Sequence, residues 1–289
     1  MRTITDEDAV AFASVREALE AVRRGEISGA VVPIENSVEG GVSATLDELI
    51  AGEPLAIRGE IVVAVEFGLY VREGTRLEDV REVLTHGHAA AQCRYWLAEM
   101  VPRATVTEAG STAGAAAEVA RSESHYDAAV CARVAGETYG LTELAYAIED
   151  NPGAVTRFVE VGRAGAVPER TGADKTTLVA YMREDHSGAL LEILEQFAVR
   201  GVNLTRIESR PTKTTLGSYC FSIDVEGHLH DRRVAEALAG LHRVCPRVHF
   251  LGSYPRADQA RPKIGDGFTD DSYEAAASWV DGLGVPDAG

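Results

Sequence analysis

Apolar and polar positions follow two different patterns along this chain, and the pattern changes near residue 175. In the first part, short apolar runs such as Ala30–Ile34 alternate with segments whose apolar residues recur every three or four positions. Continuous apolar runs are typical of strands that are covered on both faces, and the longer spacing is typical of helices. This alternation predicts an α/β domain over residues 1–165.

The run at Ala30–Ile34 ends in three polar residues, Glu35, Asn36 and Ser37, which two glycines follow soon after. In α/β sheets, ligands collect beyond the carboxyl ends of the strands, so this position favours a functional loop. An ordinary turn explains the same residues equally well, because asparagine and serine are also common caps of the helix that follows such a turn. The pattern alone leaves both interpretations open.

A second candidate site is the start of an alanine-rich helix that is predicted from Gly110 to Ala120. The first amides of a helix have no partner within the helix and carry partial positive charge, so a carboxylate could bind there beside Ser111 and Thr112. A simple helix cap is the more common reason for hydroxyl residues at such a position. A function for this helix start therefore needs support from other motifs.

Three further predictions concern the segments around these motifs. The apolar spacing predicts a short helix over Leu77–Val83. Residues Glu149–Phe158 are predicted to form a polar loop that enters a strand at Val159, and Glu160–Thr171, which is rich in glycine and proline, is predicted to be a linker. The linker would separate the first domain from the part of the chain that has the second pattern.

From Lys175 the order of predicted elements is strand, helix, strand, strand, helix, strand. This order is typical of a ferredoxin-like α+β unit, in which two helices cover one face of an antiparallel sheet. The last predicted strand ends at Tyr254, so we place this domain at residues 174–255. The segment that follows, residues 256–289, is polar apart from a weakly amphipathic piece around Tyr273–Val280, and it is predicted to be a tail.

Composition and charge exclude several classes of protein. The chain has 289 residues, 45% of them hydrophobic, and no apolar run approaches the length of about 20 residues that spans a bilayer. The formal net charge of −17 disfavours binding to nucleic acid and to anionic membranes. The four cysteines form no Cys-x-x-Cys pair, and His86 and His88 share no helix face, so we expect no metal site. Scattered thiols and an acidic start without an apolar segment favour the cytoplasm.

Five motifs, in order and with matching spacing, give the chain a resemblance to a known family. Each motif is weak alone, but together they resemble prephenate dehydratase with its regulatory ACT domain, from Phe12 to about Tyr254. The motifs are Pro33-Ile34-Glu35-Asn36-Ser37, Gly110-Ser111-Thr112-Ala113, Val155-Thr156-Arg157-Phe158, Gly188-Ala189-Leu190 and Glu208-Ser209-Arg210-Pro211.

The resemblance implies a two-lobed catalytic domain similar to periplasmic binding proteins, with the substrate in the cleft between the lobes. It also implies the decarboxylating dehydration of prephenate to phenylpyruvate, a step in the biosynthesis of L-phenylalanine, without metal or organic cofactor. The residue types suit this chemistry. Prephenate carries two carboxylates and its ring becomes aromatic, so the protein has mainly to fix the dianion and help hydroxide to leave.

In the family, the threonine of the Thr-Arg-Phe motif assists the departure of hydroxide, and that threonine corresponds to Thr156. A threonine hydroxyl is a weak acid, so its contribution would be a hydrogen bond to the leaving oxygen. Arg157 would face a substrate carboxylate, although an arginine that is buried against Glu or Asp for structural reasons is nearly as consistent with the sequence. The other substrate-binding residues that the resemblance implies are Asn36, Ser37, Ser111 and Thr112.

The ACT unit would bind the end product, L-phenylalanine, between the subunits of a homodimer or homotetramer. Gly188 would let the ligand approach the start of a helix, whose unpaired amides suit a carboxylate, and Asn203 would take the ammonium group. Helix-start geometry alone also explains a glycine at this position. The remaining effector residues that the resemblance implies are Ala189, Leu190, Glu208, Ser209, Arg210 and Pro211.

The chain departs from the family pattern near its start. Nothing before Phe12 resembles the family's first strand and its Gly-Pro-x-Gly-Thr-Phe loop, so the first lobe is expected to lack an interior strand next to Ala30–Ile34 unless Arg2–Ile4 or another subunit fills the gap. A milder departure is Ala154, where many members have asparagine. Two classes of function therefore stay open. An enzyme is favoured, and the alternative is a catalytically weak phenylalanine-binding regulatory protein with complete ACT motifs and an incomplete cleft.

Overall fold

The computed structural model describes residues 9–38, 40–183, 186–212 and 219–283. Its contacts divide the chain into a first unit (Met1–Glu35, Gly41–Val62 and Arg157–Gly289) and a second unit (Asn36–Gly40 and Val63–Thr156). Among the described residues, no helix combines the length and the hydrophobicity that are needed to cross a bilayer.

The elements confirm the α/β class, with an antiparallel α+β part at the C-terminal end. The chain begins with α1 (Val15–Arg24), β1 (Ala30–Asn36), β2 (Gly40–Gly41), α2 (Ser43–Ile50) and β3 (Leu55–Ala64). It continues with β4 (Gly68–Val71), β5 (Glu82–His86), α3 (Gly87–Gln92), α4 (Arg94–Met100), β6 (Thr105–Ala109), α5 (Thr112–Val119), β7 (Ala128–Cys131), α6 (Arg133–Thr138) and β8 (Thr142–Tyr146). It ends with β9 (Val155–Arg163), β10 (Asp174–Tyr181), α7 (Ala189–Ala198), β11 (Leu204–Pro211), β12 (Tyr219–Glu226), α8 (Arg232–Val244), β13 (Arg247–Pro255) and α9 (Asp270–Gly282).

The first sheet has the strand order β2-β1-β9-β3. Helix α1, which packs on α2 beside it, begins where the Ser14 hydroxyl accepts a hydrogen bond from the Glu17 amide, and it ends at Gly25, whose φ of 73° suits glycine. Among the described residues, the neighbours of β1 in this sheet are the two-residue strand β2 and the strand β9. Residues Arg2–Ile4, which were the proposed substitute, lie outside the described part of the chain.

The C-terminal sheet has the order β11-β12-β10-β13, and all three described pairs of neighbours are antiparallel. This arrangement confirms the predicted ferredoxin-like order. Helices α7 and α8 cover one face of the sheet, where Phe197 and Leu241 of the helices pack with Leu178 and Ile223 of the strands. Alternate residues of each strand point to this face because successive side chains of a strand point to opposite sides.

The opposite face of the C-terminal sheet packs on the first sheet. Val179 and Leu251 of the C-terminal sheet belong to the same buried cluster as Ile34 and Val161 of the first sheet. The approach is close at Gly252, because a side chain at that position would overlap the carbonyl oxygen of Ile57 in β3. The two sheets therefore share one hydrophobic core within the first unit.

The second unit is built on a five-stranded sheet with the order β6-β5-β7-β4-β8. Helices α3 and α4 cover one face, where Leu97 packs with Leu69 and Val130. Helices α5 and α6 cover the other face, where Val119 packs with Tyr70. Strands β5 and β6 run parallel, so the loops that follow them leave the same edge of the sheet.

The structure corrects the predicted loop before Val159, because β9 already begins at Val155. The inward positions of this strand are Arg157, Val159 and Val161, and all three are buried. A charged residue at the first inward position hides the period of two that marks a strand. Thr156 and Arg157 are therefore strand residues, and the predicted linker begins only after Arg163.

Two further predictions of local structure are wrong. Residues Leu77–Asp79 form only one turn of 3₁₀ helix, and strand β5 begins at Glu82, within the predicted helix. The predicted C-terminal tail contains the helix α9, which packs on α8. Its first residue, Asp270, binds Arg170 at 2.7 Å and accepts a hydrogen bond from the Arg232 amide at 2.9 Å.

Candidate active site

Strands β1 and β9 are neighbours, which brings Asn36 next to Thr156. The Asn36 side-chain amide donates a hydrogen bond from Nδ2 to Thr156 Oγ1 at 3.0 Å. Its oxygen, Oδ1, accepts a hydrogen bond from the Val38 amide at 2.8 Å, and this second bond determines which end of the Asn36 amide faces Thr156. Since Thr156 Oγ1 accepts this bond, its own hydrogen can be donated to a ligand.

Ser37 is joined to the residue before Thr156. Its amide donates to the Val155 carbonyl oxygen, and its hydroxyl accepts a hydrogen bond from the Val155 amide, both at 2.9 Å. Ser37 is exposed, whereas Asn36 and Thr156 are half-buried. The structure thus brings three of the predicted site residues together within the second unit, with Ser37 holding β9 in place and Asn36 contacting the Thr156 hydroxyl.

Ser111 and Thr112 lie elsewhere in the second unit, at the start of α5. The Ser111 hydroxyl accepts a hydrogen bond from the Gly114 amide at 2.9 Å, so Ser111 is the N-cap of this helix. Ser111 is exposed and Thr112 is half-buried. The hydrogen bond to Ser111 is therefore explained by capping alone, one of the two interpretations that the sequence left open. The other amides at the start of the helix can still bind an anion.

Arg157 makes the contacts of a structural arginine. Its side chain is 8% exposed and lies in the first unit among oxygen atoms. Its donors reach Glu60 at 2.6 Å from Nε, Asp224 at 2.5 Å and Glu35 at 3.3 Å from Nη1, and the Tyr254 hydroxyl at 2.8 Å from Nη2. These contacts occupy the guanidinium, and they fit the alternative that the sequence left open, an arginine that is buried against acidic side chains for structural reasons.

Arg157 belongs to a larger group of charged side chains that we call the ion cluster. Lys175 binds Glu60 at 2.8 Å, and Arg206 binds Asp224 at 3.1 Å. The side chains of Glu60 and Asp224 are 3% and 0% exposed, so both carboxylates depend on these cations for compensation of their charge. The members of the ion cluster are Glu35, Glu60, Arg157, Lys175, Arg206 and Asp224.

The cluster lowers the pKa of its buried acids. Burial opposes the ionisation of Asp224, but Arg206 and Arg157 outweigh burial and hold the pKa of this carboxyl well below its usual range. Burial likewise opposes the ionisation of Glu60, and attraction by Arg157 and Lys175 lowers the pKa of this carboxyl. Burial alone would lower the pKa of Arg157, yet Tyr254, Asp224 and Glu60 raise it. Glu60, Asp224 and Arg157 are therefore charged at neutral pH.

We expect the free energy of unfolding to fall when the pH drops below about 4, the usual pKa of unfolded carboxyl groups. Since the pKa values of Glu60 and Asp224 are lower in the folded protein, the unfolded chain binds more protons in acid. Their stabilisation is complete above the unfolded-state pKa and is lost as the pH falls through the folded-state values. Urea unfolding between about pH 7 and pH 3 measures this dependence. A free energy of unfolding that stays constant over this interval contradicts the prediction.

The sequence analysis did not identify the ion cluster beyond Glu35 and Arg157. A signal was present, because Asp224 stands between Ile223 and Val225 in a strand whose residues are nearly all buried. A charged residue at such a position requires a buried partner. The position of that partner, 67 residues earlier in the chain, depends on the packing of two sheets and not on local spacing.

The predicted effector residues do not all face one site. In β11 the side chains alternate, so that Arg206, Glu208 and Arg210 are half-buried while Ser209 and Pro211 are exposed. The Glu208 carboxylate lies against Gly41, where a side chain would overlap it. Arg210 binds the Ser43 hydroxyl at 2.6 Å and the Asp47 carboxylate at 3.0 Å. Glu208 and Arg210 therefore contact the first lobe, and only Ser209 and Pro211 of this motif are open to solvent.

The other effector residues surround the start of α7. Gly188 is the N-cap and has a φ of 97°, a conformation that favours glycine, and no atom of the described residues would obstruct a side chain there. Ala189 is buried, Leu190 is partly exposed, and Asn203 is exposed just before β11. The exposed groups near this helix start are thus available to a ligand.

The described residues offer no obvious place for a metal ion. No group of three or more His, Cys, Asp or Glu side chains among them has suitable geometry. His86 Nδ1 accepts a hydrogen bond from the His88 amide at 3.3 Å, so His86 caps α3. The arrangement of Asn36 and Thr156 can polarise a hydroxyl toward a leaving group, which is chemistry that needs no metal.

Two family models match the chain. The model for prephenate dehydratase matches residues 2–166, which is more than half of the chain, and the model for the ACT domain matches residues 176–243. The first match ends in the segment between β9 and β10, and the second begins within β10.

Comparison with individual proteins gives the same result over most of the chain. A prephenate dehydratase from Amycolatopsis methanolica is 46% identical over 275 residues, which cover 95% of this chain and 89% of the relative. The crystal structure of prephenate dehydratase from Arthrobacter aurescens in complex with L-Phe is 54% identical, with a TM-score of 0.86, and covers 92% of this chain and 88% of that chain. A third structure, GqqA, described as a quorum quenching acylase, is 32% identical, with a TM-score of 0.74 over 84% of this chain and 87% of that one.

Proposed function

The chain belongs to the prephenate dehydratase family, and from this premise we propose that it converts prephenate to phenylpyruvate. The observation that carries the proposal is the hydrogen bond of 3.0 Å between Asn36 and Thr156. This hydrogen bond polarises the hydroxyl of Thr156. Thr156 belongs to the Thr-Arg-Phe motif, whose threonine assists the departure of hydroxide in the family. The reaction breaks the bond to one carboxyl carbon, releases carbon dioxide, and expels hydroxide from the opposite side of the ring as the ring becomes aromatic.

Thr156 would act on the leaving oxygen. Asn36 donates to Thr156 Oγ1, so the hydroxyl hydrogen of Thr156 is directed away from Asn36 and its acidity increases. A hydrogen bond from this hydroxyl to the departing oxygen becomes stronger as negative charge develops there in the transition state. The departing hydroxide takes a proton from Thr156 or from water, and an exchange with solvent restores the threonine.

The carboxylates of prephenate need donors in a protein whose net charge is −17. We propose that the amides at the start of α5, with Thr112 and Ser111, supply part of this binding, and that Ser37 supplies another donor. Arg157 is left out of this set because four oxygen-bearing side chains already surround it. In this proposal, backbone amides and hydroxyl groups bind the substrate carboxylates in place of a positively charged side chain.

Turnover of prephenate by the purified chain tests the proposal. We expect phenylpyruvate to form at a rate typical of enzymes, with L-phenylalanine changing that rate. A chain that binds L-phenylalanine but forms no phenylpyruvate would support the alternative of a regulatory protein without catalysis. Hydrolysis of an N-acyl amide, assayed in parallel, would show whether the chain shares the activity described for GqqA.

For regulation, we propose that L-phenylalanine binds at the start of α7, with Gly188, Ala189, Leu190, Asn203 and Ser209 as its contacts. The related protein from Arthrobacter aurescens was crystallised with L-Phe, which supports this effector. We further propose that the site forms between subunits of a homodimer or homotetramer. Residues 1–165 would then be the catalytic domain and residues 174–255 the regulatory domain of a cytoplasmic enzyme, since the four cysteines are buried free thiols.

We expect Gly188→Val to abolish the response to L-phenylalanine. The left-handed conformation of Gly188 strains any larger residue, so the helix start must shift away from the geometry that binds a carboxylate. Calorimetry should show loss of phenylalanine binding, and the ratio of turnover with and without phenylalanine should fall to about one, from a coupling that is typically about 5- to 150-fold.

Gly74→Val is a matched control for this substitution. Gly74 also has a positive φ, 87°, and open space around it, but it lies in a turn of the second unit. The control variant carries a similar backbone strain and should respond to L-phenylalanine as the unchanged protein does. Phenylalanine affinity in Gly188→Val equal to that of the control would contradict the assigned effector site.

A further inference from the structure

An unbroken series of ion pairs runs from strand β11, which also carries the proposed effector contact Ser209, to the strands that carry Asn36 and Thr156. Glu208 binds Arg206 at 3.2 Å, and Arg206 binds Asp224 at 3.1 Å. Asp224 binds Arg157 at 2.5 Å, and Arg157 binds Glu35 at 3.3 Å. All five residues belong to the first unit, where the C-terminal sheet and the first sheet share a core.

Both residues at the far end of this series adjoin the candidate active site in sequence. Arg157 directly follows Thr156, and Glu35 directly precedes Asn36. Two neighbouring strands are therefore joined twice, by the ion pair of Arg157 with Glu35 and by the hydrogen bond of Asn36 with Thr156. A displacement of the Arg157 backbone alters the placement of Thr156, because one peptide bond links the two residues.

We propose that Arg157 is a positioning residue that carries the effect of L-phenylalanine from the C-terminal sheet to Thr156 through Asp224. This inference rests on the proposed function and deepens it. In this proposal Arg157 orients Thr156 and takes part in regulation. The motif had implied a different role, the binding of a substrate carboxylate.

Burial makes this series suitable for such a role. The side chains of Arg157, Arg206 and Asp224 are between 0% and 8% exposed, so water cannot replace an ion-pair partner that moves away. Buried ion pairs offset their desolvation only in a good geometry, which gives the cluster few acceptable arrangements. A ligand that favours one position of β11 will therefore favour one arrangement of the whole series. Such a ligand shifts the population of the protein toward that arrangement.

Two variants and one control test the proposal in the full-length protein. Arg157→Lys keeps the charge but cannot reach Asp224, Glu60 and Glu35 at once. Glu35→Gln removes the ion pair between Glu35 and Arg157. The Glu35 side chain is 35% exposed, so this variant should fold even if Arg157→Lys does not. The control is Arg23→Lys, since Arg23 is also a buried arginine of the first unit but binds Glu20, Glu48 and the Ala51 carbonyl, outside the ion cluster.

Three measurements are made on each protein: phenylalanine affinity by calorimetry, kcat and KM with and without phenylalanine, and hydrogen exchange of the peptide that covers residues 154–160. For both cluster variants we expect phenylalanine affinity and KM to stay within about threefold, while the effect of phenylalanine on kcat/KM, normally at least about fivefold, falls below about twofold. The change in exchange that phenylalanine causes at residues 154–160 should disappear. The control should keep both responses.

Other outcomes overturn the proposal. A KM that rises by about two orders of magnitude in Arg157→Lys, with the phenylalanine response intact, would mean that Arg157 binds substrate. A full response in Glu35→Gln would remove the series from regulation. If the unchanged protein binds phenylalanine but does not turn over prephenate, the proposed function fails and hydrogen exchange alone decides the inference. If calorimetry detects no phenylalanine binding, the effector assignment and this inference both fail.

Discussion

Thr156→Ala is expected to lower kcat for prephenate by about two to four orders of magnitude, the usual contribution of a side chain that acts on a proton in the transition state. The Thr156 hydroxyl accepts a hydrogen bond from Asn36, and its own hydrogen is available to the leaving oxygen. The interaction strengthens only as hydroxide departs, so KM should change little. Steady-state kinetics of phenylpyruvate formation measures both constants.

Thr156→Ser separates the hydroxyl from the methyl group of the same residue. Serine retains an oxygen that can accept from Asn36 and donate to the leaving group, so most of the activity should return. Thr156 is half-buried on a strand that Ser37 holds in place, and neither variant should change the melting temperature greatly. A kcat for Thr156→Ala within a few-fold of the unchanged protein would remove this residue from the mechanism.

Asp224→Ala is expected to destabilise the first unit by about 3–5 kcal/mol, which is the usual cost of removing one member of a buried ion pair. Asp224 accepts hydrogen bonds from Arg157, Arg206 and the Thr177 hydroxyl, and its side chain is fully buried. Its loss leaves two buried guanidinium groups close together with less compensating charge. Since domains are stable by only about 5–15 kcal/mol, urea unfolding should detect this loss easily.

Asp47→Ala provides the comparison for this stability measurement. Asp47 also pairs with an arginine, Arg210, at 3.0 Å, but its side chain is 28% exposed. Water reaches this pair in part and compensates for a lost partner, so this variant should lose much less stability than Asp224→Ala does. If the two substitutions lower the free energy of unfolding equally, burial does not determine how much the ion cluster contributes to stability.

The parts of the fold that the sequence predicts are those with a local signal. The apolar run of β1 and the order of elements after Lys175 depend on spacing along the chain, and both appear in the structure. Thr156 was identified through a motif, and the structure adds its contact with Asn36, 120 residues earlier in the chain. Local spacing therefore sufficed for the class of fold, and Thr156 as the centre of the candidate site stays a prediction from its motif.

The predictions that failed concern features that depend on packing between residues far apart in the chain. The start of β9 was misplaced because Arg157, at an inward position, is compensated by Asp224 and Glu60 from distant strands. The motif from Glu208 to Pro211 was assigned to one site because a motif does not reveal the two faces of a strand. The first domain and the C-terminal domain were expected to be separated by a linker, whereas their sheets share one core.

That shared core limits how the regulatory part of the chain could be exchanged during evolution or in the laboratory. Grafting residues 174–255 onto another protein would leave Val179, Leu251 and Tyr254 facing water, and removing these residues would expose Ile34 and Val161 of the first sheet. Apolar faces of this kind cause aggregation or self-association. Substitutions on either face of this core therefore have to fit the facing sheet, so the two sheets can change their apolar contacts only together.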